Sequence, residues 1–537
     1  MQPKSAHILL CLIVVVIFPP VSAIPDQMPV SDKLVYLPLI RNGPAAPVLK
    51  WQRGGCYSSW CETGWYSSPA VAEIGGGKKE VIASAYSVMA LDGDTGTLKW
   101  RKGGTANRTW PGIALGDLTG DGSLEIVVAQ GGGLVTAYDL NGIQIWQKQP
   151  AGTSNEFRGL LVADLDNDHS SMEVVVTRAA GSSTNTWVLD SSGNNKGGKW
   201  PQMTDGTGYA WGVYSSNPAA GDLVPGIAGW ELVVPSDVHY INAYDRNGNS
   251  LAANTGDYPG KYWGGVGIWE SLVPEKRGWG ACDGTRQESH RANFADGPAV
   301  IMDLNNDGSK EVIVTGNMYD CAAGYPPSRY VALYIFNADR SRFNSGGYDW
   351  RTIPVDTGAP LSEDYNVIES YQSNPVVADL DGDGKMEILY SSYDGRVHAF
   401  WLDKTEHGSW PYAVCKSAEG IIRFASEPVV VDLENDGPAE VIFTSWVQKG
   451  SGRTGKLHIL SSLGKPLYEV DLPAGIGTDW NGAMAAPTLA DIDSDPDLEV
   501  VLNTAHSGVV AYDLPGTAGA RILWGTGRGD YTRKGSR

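Results

Sequence analysis

The sequence predicts an all-β fold in which eight four-stranded units close into a β-propeller. A nine-residue acidic frame recurs along the 537 residues, and each copy ends in a glutamate before an apolar segment. Each copy is followed by a strand-like segment that ends in Asp or Asn near Gly, and often by Trp, as in Ala90 to Trp100. Self-similarity at this spacing, with about four strand-sized segments per unit, is typical of a propeller. A seven-bladed ring is the alternative.

The clearest copy of the frame runs from Asp379 to Glu387. Oxygen-bearing side chains occupy its first, third, fifth and ninth positions, and Gly384 follows the third carboxylate, where the chain must turn sharply. Ca²⁺ takes roughly six to eight oxygen ligands, and a compact acidic loop can supply most of them. An EF-hand would place its glutamate at about position twelve, between helices, whereas strand-like segments flank this frame. The frame therefore predicts a calcium site on a β-hairpin.

Six copies of the frame keep enough ligands to predict a calcium site. Their candidate metal ligands are Asp117, Thr119, Asp121 and Glu125; Asp164, Asp166, Asp168 and Glu173; Asp303, Asn305, Asp307 and Glu311; Asp379, Asp381, Asp383 and Glu387; Asp432, Glu434, Asp436 and Glu440; and Asp491, Asp493, Asp495 and Glu499. Pro496 replaces the turn glycine of the last copy, and His169 replaces that of the second. Two further units, which end at Glu80 and Glu231, have lost most ligands. Because such a loop closes its own coordination shell, we expect the calcium to be structural.

On these residues the units resemble FG-GAP (VCBS-type) repeats, the calcium-loop blades of integrin α-chain propellers and of many bacterial secreted proteins. The resemblance covers roughly Val48 to the C-terminus, because the frame recurs in register. A weaker resemblance overlaps it: Ala90 to Trp100 is similar to the tryptophan-docking repeat of quinoprotein (PQQ-type) propellers. Both resemblances imply the same fold, and neither determines the function.

The N-terminus is expected to direct export rather than to form part of the fold. Residues 1–23 contain an apolar run from Ile8 to Phe18, which is too short to span a bilayer and is typical of a secretory signal cleaved near Ala23. Residues 24–47 are a Pro-rich linker or extended arm, and residues 48–537 a single propeller domain. We therefore expect a secreted, monomeric protein with no membrane span.

Two segments compete to close the ring. Val48 to Gly55 nearly duplicates Thr97 to Gly104, which should be the outer strand of the first blade. An outer strand with no blade before it must complete the last blade. Arg521 to Trp524 also resembles an outer strand. The sequence leaves open which segment closes the ring.

Composition limits the partners. A formal net charge of -20 argues against nucleic acid or an anionic membrane surface. Much of the acidic excess is explained if the carboxylates are gathered into cation sites. The 67 glycines and 31 prolines suit a fold with many turns.

The cysteine pattern suits an oxidising compartment. Cys56 and Cys61 lie close together in a Gly/Ser/Trp loop and are expected to form a local disulfide. Cys282 and Cys321 could form a second one. Cys415 is then left over and is expected to be buried, although the pairing among these three stays open.

Two loop insertions are the first pointer to function. The longest gaps between closing glutamates contain inserts at about residues 254–296 and 317–373. Both inserts combine aromatic side chains with charged groups, which is what a sugar or peptide site needs. The alternative is that these aromatics pack the inserts against the blades.

Aromatic residues also precede most innermost strands by three to five positions. They are Trp65, Tyr66, Trp110, Phe157, Tyr214, Phe294, Tyr371 and Phe424. Equivalent positions of a radial repeat form a ring around one mouth of the central channel. Such a ring is either a binding face or a plug of the channel.

Three functions are compatible with this pattern. The first is a recognition or adhesion module for an extracellular glycan or protein, bound at the loop face. The second is an enzyme, a polysaccharide lyase or glycosidase, for which His290, Arg291, Glu288 and Glu369 are candidate catalytic residues. The third is a quinoprotein dehydrogenase, against which the sequence offers no vicinal cysteine pair and only two clear docking repeats.

Overall fold

A computed structural model describes most of the chain. The described residues are 45–56, 60–75, 77–153, 155–178, 184–203, 217–236, 239–277, 290–294, 297–319, 328–354, 358, 360–362 and 374–537. Within them, helix is confined to two 3₁₀ turns, Trp263–Gly265 and Ser417–Glu419, and to the five-residue α1, Leu272–Lys276. No helix among these residues has the length and apolar character needed to cross a membrane.

Eight small antiparallel sheets form the blades of a ring, as the repeat count predicts. The first strand, β1 (Val48–Arg53), belongs to the last blade. Blade 1 consists of β2 (Ala70–Glu73), β3 (Lys79–Ser84), β4 (Val88–Asp92) and β5 (Leu98–Lys102); blade 2 of β6 (Ala114–Gly116), β7 (Glu125–Ala129), β8 (Val135–Tyr138) and β9 (Gln144–Lys148); blade 3 of β10 (Phe157–Ala163), β11 (Glu173–Arg178) and β12 (Thr186–Leu189); and blade 4 of β13 (Ala219–Gly221), β14 (Glu231–Pro235) and β15 (Ile241–Tyr244).

The remaining blades carry the insertions. Blade 5 consists of β16 (Arg291–Asn293), β17 (Ala299–Met302), β18 (Glu311–Tyr319) and β19 (Ser328–Asn337), followed by a hairpin of β20 (Asn344–Ser345) and β21 (Tyr348–Asp349); blade 6 of β22 (Val376–Ala378), β23 (Glu387–Ser391), β24 (Arg396–Phe400) and β25 (Tyr412–Ala413); blade 7 of β26 (Arg423–Ala425), β27 (Val429–Asp432), β28 (Glu440–Val447), β29 (Lys456–Leu460) and β30 (Pro466–Asp471); and blade 8 of β31 (Thr488–Ala490), β32 (Leu498–Asn503), β33 (Val509–Leu514) and β1. The last strand is β34 (Arg521–Trp524).

Burial explains the composition of these strands. The second strand of blade 2, β7, is buried along its whole length because the neighbouring blades cover both of its faces. The outer strand β9 exposes most of its residues but buries Trp146. Blade 3 packs on blade 2 through one apolar cluster that includes Val127 and Val174. The apolar core therefore lies between the blades.

The N-terminal strand closes the ring. Strand β1 pairs with β33 in antiparallel register, with Val48 opposite Asp513. Strand β34 pairs instead with the innermost strand of blade 7, with Val430 opposite Trp524, and so lies on the channel side of that blade. The segment Arg521 to Trp524 is therefore an inner strand and not an outer one.

A tryptophan late in each of six blades docks on the next blade in the described part of the chain. Its indole N–H donates to a backbone carbonyl at 2.7–3.1 Å: Trp51 to Gly93, Trp100 to Leu140, Trp146 to Ser191, Trp200 to Arg246, Trp350 to Leu402 and Trp410 to Ser462. The ring of Trp146 also covers the turn glycine Gly193, where a Cβ would lie 2.7 Å from the indole. The docking motif, clear in only two repeats of the sequence, thus joins six pairs of blades.

The C-terminal residues 525–537 line the central channel. Backbone N–H groups of innermost strands donate to tail carbonyls at 2.8–3.0 Å: Leu489 to Gly525, Leu115 to Tyr531, Val162 to Thr532, Ala220 to Lys534 and Ile301 to Gly535. The inner edge of an innermost strand has no neighbouring strand to pair with, so it needs such a partner. The tail therefore bonds to five blades and occupies the channel.

Arg533 anchors this tail. Its side chain is 1% exposed. The guanidinium donates to the carbonyl oxygens of Ile113 and Pro69 at 2.8 Å and to Thr526 Oγ1 at 2.7 Å, with further bonds to Ser68 and Gly527. Burial lowers the pKa of Arg533 to about 10. The charge is buried because carbonyl oxygens of two blades and of the tail itself surround it.

Candidate functional site

Each innermost strand joins two candidate sites that lie on opposite faces of the ring. In blade 2, Trp110 precedes β6 and Asp117 follows it. The acidic loops therefore lie on one face and the residues before the innermost strands on the other, around the channel mouth. A ligand at the mouth would not touch the acidic loops.

The closing glutamate of seven loops has a shared hydrogen bond. Its Oε2 accepts from the backbone N–H of the residue at position two, at 2.7–3.1 Å: Leu118 to Glu125, Leu165 to Glu173, Leu223 to Glu231, Leu304 to Glu311, Leu380 to Glu387, Leu433 to Glu440 and Ile492 to Glu499. This bond persists at Glu231, whose loop has lost most of its other ligands. The glutamate therefore fixes the hairpin and still leaves Oε1 for another partner. The sequence signal for it is the Leu or Ile at position two, which sequence reasoning missed.

The first aspartate of the frame shapes the turn. In blade 6, Asp379 accepts from the backbone N–H of Gly382 at 2.7 Å and of Gly384 at 3.0 Å. Gly384 has a φ of +84°, which favours glycine at this position. The carboxylates of Asp379, Asp381 and Glu387 lie within 4.8 Å of one another and could hold a metal ion.

A second acidic group has the same geometry in blade 8. There Asp491, Asp493 and Glu499 also place one oxygen each within 4.8 Å of one another. The remaining predicted ligand sets lie at equivalent turns of blades 2, 3, 5 and 7. Which of the six loops holds a cation stays a prediction.

Electrostatics favour a cation in these loops. Burial, together with the neighbouring aspartates of each loop, raises the pKa of Glu311 and of Glu387 to about 8. Burial and Glu434 raise the pKa of Glu440 to about 8, and burial and Asp493 raise that of Glu499 to about 7. A divalent cation would stabilise the ionised forms of these carboxylates.

Residues from six blades meet at the channel mouth. A small cavity of about 30 Å³ there is lined by Tyr66, Ser68, Trp110, Arg158, Asn217, Asn374 and Glu427, with Arg528 and Arg533 of the tail as its floor. This volume has room for about two water molecules. Glu427 is 1% exposed and accepts from the backbone N–H of Arg528 at 2.8 Å and from Asn374. The tail therefore seals the channel beneath the mouth.

The predicted aromatic ring is only partly present at this mouth. Tyr66 and Trp110 line it, with ring centroids 4.0 Å apart. Phe157 and Phe294 are fully buried in core clusters between blades. Trp65 and Phe424 belong to one apolar cluster with Tyr66, and Trp110 packs against that cluster. Tyr214 and Tyr371 lie outside the described residues.

A groove opens beside Trp110 on the mouth face. We call it the mouth groove; it has a volume of about 480 Å³ and is lined by Tyr86, Ala106, Asn107, Arg108, Gly131, Gly132, Thr153, Asn155 and Glu156. The Arg108 guanidinium lies 5.2 Å from the Tyr66 ring centroid and 5.3 Å from that of Trp110. It also donates to the Tyr86 hydroxyl at 3.1 Å. The Arg158 guanidinium lies 3.7 Å from the Trp110 ring centroid.

Two of the four candidate catalytic residues, His290 and Arg291, lie among the described residues. Glu288 and Glu369 lie outside the described residues. His290 Nδ1 lies 2.5 Å from Glu270 Oε2 and 3.0 Å from the Tyr330 hydroxyl. Arg291 is 9% exposed and begins β16. Glu270 and Tyr330 belong to the charged and aromatic residues of the two inserts, but the sequence did not relate them to His290.

The described aromatic residues of the inserts mainly serve packing. Tyr258, Trp263, Trp269 and Trp350 are all 3% exposed or less. In the first insert, the fully buried Glu275 pairs with Arg340 and Arg342 of blade 5 and accepts from Tyr258 at 2.7 Å. This favours the packing interpretation for the described part of that insert.

The cysteine predictions stay open. Cys56 and Cys61 are exposed thiols in one loop, with Cys56 Sγ 4.0 Å from the Cys61 carbonyl oxygen. Cys282 and Cys321 lie outside the described residues. Cys415 is half-buried, with Sγ 3.7 Å from the Ile421 carbonyl oxygen.

Comparison with known proteins supports the repeat. Residues 379–443 match the model of the FG-GAP-like repeat. The similar solved structures include the V. cholerae biofilm matrix protein Bap1, with 13% identity, coverage of 89% of this chain and 93% of that one, and a TM-score of 0.49. They also include the quinohemoprotein alcohol dehydrogenase ADHIIG from Pseudomonas putida HK5, with 12% identity, coverage of 88% of this chain and 77% of that one, and a TM-score of 0.48. The exotype rhamnogalacturonan lyase YesX has 14% identity, coverage of 88% of this chain and 76% of that one, and a TM-score of 0.45.

No curated protein matches the chain. At the identities and TM-scores of these structures, their similarity carries no argument about what this chain binds. The chain thus contains an FG-GAP-like repeat within an eight-bladed β-propeller.

Proposed function

We propose that this chain is a secreted recognition module that binds an acidic glycan in the mouth groove and is stabilised by calcium in its acidic loops. The observation that carries the proposal is the placement of Arg108 among Tyr66, Tyr86 and Trp110 beside a groove of about 480 Å³. Pockets of roughly 300–1,000 Å³ suit small ligands. The groove is therefore large enough for one or two sugar rings.

The chemistry of the mouth face favours a carbohydrate that carries carboxylates. Aromatic rings stack on the apolar faces of sugars, while nearby polar groups fix their orientation. Guanidinium groups bind carboxylates through paired hydrogen bonds. Arg108 lines the mouth groove, and Arg158 lines the cavity at the mouth, where it pairs with Glu156 at 3.1 Å. A ligand carboxylate in the groove would therefore bind through Arg108. A protein ligand with an acidic segment is the alternative.

Calcium would act in this function as a structural ion. The acidic loops lie on the face opposite the mouth, and each closes on itself through its own glutamate. The ion would hold the turn between the innermost strand and the second strand of a blade, as in other sites built from oxygen ligands. Export of the chain through residues 1–23 is part of the same proposal.

A glycan array tests the recognition site. We expect the purified protein to bind uronate-containing polysaccharides and not their neutral counterparts. Arg108→Ala and Trp110→Ala should each weaken binding at least about tenfold, which corresponds to about 1.4 kcal/mol. The matched control is Arg351→Ala, because Arg351 is an exposed arginine paired with Asp349 on β21. An array without a bound glycan, or normal binding by both groove variants, would contradict the proposal.

A second candidate function is polysaccharide cleavage by a lyase. The specific observation is the contact of His290 with Glu270 and Tyr330, since a lyase needs a base beside groups that orient it. Incubation with uronate polysaccharides should then produce an unsaturated sugar that absorbs in the ultraviolet, and His290→Ala should abolish it. If the wild-type protein binds the polymer without releasing this product, the recognition module is retained and the lyase is rejected.

A quinoprotein dehydrogenase is tested separately by dye reduction after addition of quinone and calcium.

A further inference from the structure

One position of the outer strand recurs in several blades as a β-bulge. The extra residue at this bulge is Lys50 in β1, Lys99 in β5, Ile145 in β9 and Leu467 in β30. In blade 3, Asn195 forms an isolated β-bridge with Leu189, the last residue of β12. Lys196 comes directly after Asn195 and so occupies the position that the extra residue has in the other blades. A bulge re-aims the side chain of its extra residue. The bulge position therefore carries a lysine in some blades and an apolar residue in others.

The bulge lysine of blade 3 reaches into the acidic loop. The Lys196 ammonium contacts the Asp166 carboxylate and lies 2.6 Å from Glu173 Oε1. The backbone N–H of Leu165 already donates to Oε2 of the same glutamate. Only 14% of the Lys196 side chain is exposed, and only 6% of Glu173. The ammonium thus occupies the one glutamate oxygen that the hairpin bond leaves for a cation.

The bulge lysine of blade 8 makes the same approach. The Lys50 ammonium contacts Asp493 and lies 3.5 Å from Glu499 Oε1. The backbone N–H of Ile492 donates to Oε2 of that glutamate. From blade 1, Lys79 reaches the remaining carboxylate, Asp491, at 2.8 Å. Two ammonium groups therefore face the three carboxylates that are spaced for a metal ion.

The other ligand-bearing loops lack such a lysine. Among the residues described, no Lys or Arg lies within ion-pair distance of the closing glutamates Glu125, Glu311, Glu387 and Glu440. In blades 2 and 7 the bulge position carries the apolar Ile145 and Leu467, which cannot neutralise a carboxylate. Lys385 contacts the exposed Asp383, whereas Arg521 lies 3.3 Å from the buried Asp432 and donates to the Gly437 carbonyl oxygen; neither reaches a closing glutamate.

We propose that Lys50 and Lys196 replace the calcium ion in the loops of blades 8 and 3, so that calcium binds only in blades 2, 5, 6 and 7. An ammonium group supplies one positive charge beside the same carboxylates that a cation would need, and in blade 3 it also donates to Glu173 Oε1. A Ca²⁺ ion could enter only if it displaced a tethered ammonium from those oxygens. In blades 2, 3, 7 and 8 the residue at the outer-strand bulge therefore decides whether the acidic loop needs the ion. This inference rests on the proposed binding of calcium.

Calcium stoichiometry tests the inference through reciprocal exchanges at the bulge. The full-length mature protein is stripped with a chelating resin, dialysed against CaCl₂ and analysed for bound calcium by elemental analysis. We expect four ions per wild-type chain. Lys196→Met and Lys50→Met should each bind one more ion, and Ile145→Lys in blade 2 should bind one fewer. The melting temperature of Lys196→Met should also become more dependent on calcium than that of the wild type.

The outcomes separate this inference from the proposed function. If the wild type binds calcium but the two Met variants gain none, the lysine inference is overturned and the calcium loops are retained. Six ions on the wild type would overturn it as well. No calcium on any chain would overturn both proposals. If a Met variant fails to fold, Ile145→Lys still decides the question, because an unchanged stoichiometry there contradicts the role of the bulge residue.

Discussion

Arg533 Nε donates to the carbonyl oxygen of Ile113 at 2.8 Å and so joins residues that are 420 positions apart in the chain. Through the same guanidinium, the C-terminal tail is bound to blades 1 and 2. The ring is thus closed twice: at its outer rim by β1 in blade 8, and at its axis by the tail.

Replacing Arg533 by Met should destabilise the whole ring. The change leaves buried carbonyl oxygens without a donor, and each such group costs about 1–3 kcal/mol. We expect a loss of at least about 3 kcal/mol, measured as a lower midpoint of denaturant unfolding. Arg351→Met is the control, since its ion pair with Asp349 is exposed to solvent and contributes little to stability. Equal effects of the two substitutions would show that the tail does not hold the blades together.

Position 193 should tolerate no side chain, because the Trp146 indole docks on Gly193. Gly193 has a φ of +76°, and a Cβ there would lie 2.7 Å from the indole. Gly193→Ala should therefore cost more than the roughly 1–2 kcal/mol expected from a left-handed backbone alone. Gly516→Ala isolates that backbone cost, because Gly516 has a φ of +89° and open space around it. Thermal unfolding of the two variants measures the difference, and similar melting temperatures would argue against a close docking contact.

Two closing glutamates should respond differently to loss of charge. Glu387 belongs to a loop with three further carboxylates, whereas Glu231 keeps only its bond to the hairpin backbone. Glu387→Gln should remove one bound calcium ion and lower the melting temperature only when calcium is present. Glu231→Gln should leave the calcium content unchanged, since a glutamine oxygen can still accept from Leu223. A loss of calcium in Glu231→Gln would mean that blade 4 also binds an ion.

The chelated protein should lose stability as the pH rises from about 5 to about 8. The pKa of Glu387 is raised from 4.5 to about 8 by burial and by neighbouring aspartates. Between these values the folded state binds more protons than the unfolded state, so unfolding becomes easier as the pH rises through this window. The same holds for Glu311 and Glu440.

Melting temperatures measured in EDTA and in calcium at pH 5, 6, 7 and 8 provide the test. Calcium should remove the decline, because the ion stabilises the ionised carboxylates. If the EDTA samples are most stable at pH 8, burial and the neighbouring aspartates do not raise the pKa of the closing glutamates in the metal-free loops.

The repeat could be predicted from the sequence because its signals are local. The spacing of Asp379 to Glu387 and its flanking apolar segments specify a hairpin within a few residues. The lysines of the loops could not be predicted in the same way. Lys50 meets Asp493 across 443 positions of the chain, and no local pattern relates them.

At the channel mouth, too, contacts between distant residues could not be predicted from the sequence. The described aromatic residues near the start of the innermost strands differ in their environments. Tyr66 and Trp110 remain at the mouth, whereas Phe157 is buried between two blades. Neighbouring side chains from other blades decide this, and their positions follow from the closure of the ring.

The sequence by itself determined the eight units, their hairpin loops and the strand character of their segments, because each depends on residues close together in the chain. Only the tertiary structure decided that β1 closes the ring, that residues 525–537 occupy the channel and that Lys50 and Lys196 enter acidic loops. These features depend on contacts between residues far apart in sequence, and such contacts exist only once the blades have closed into a circle.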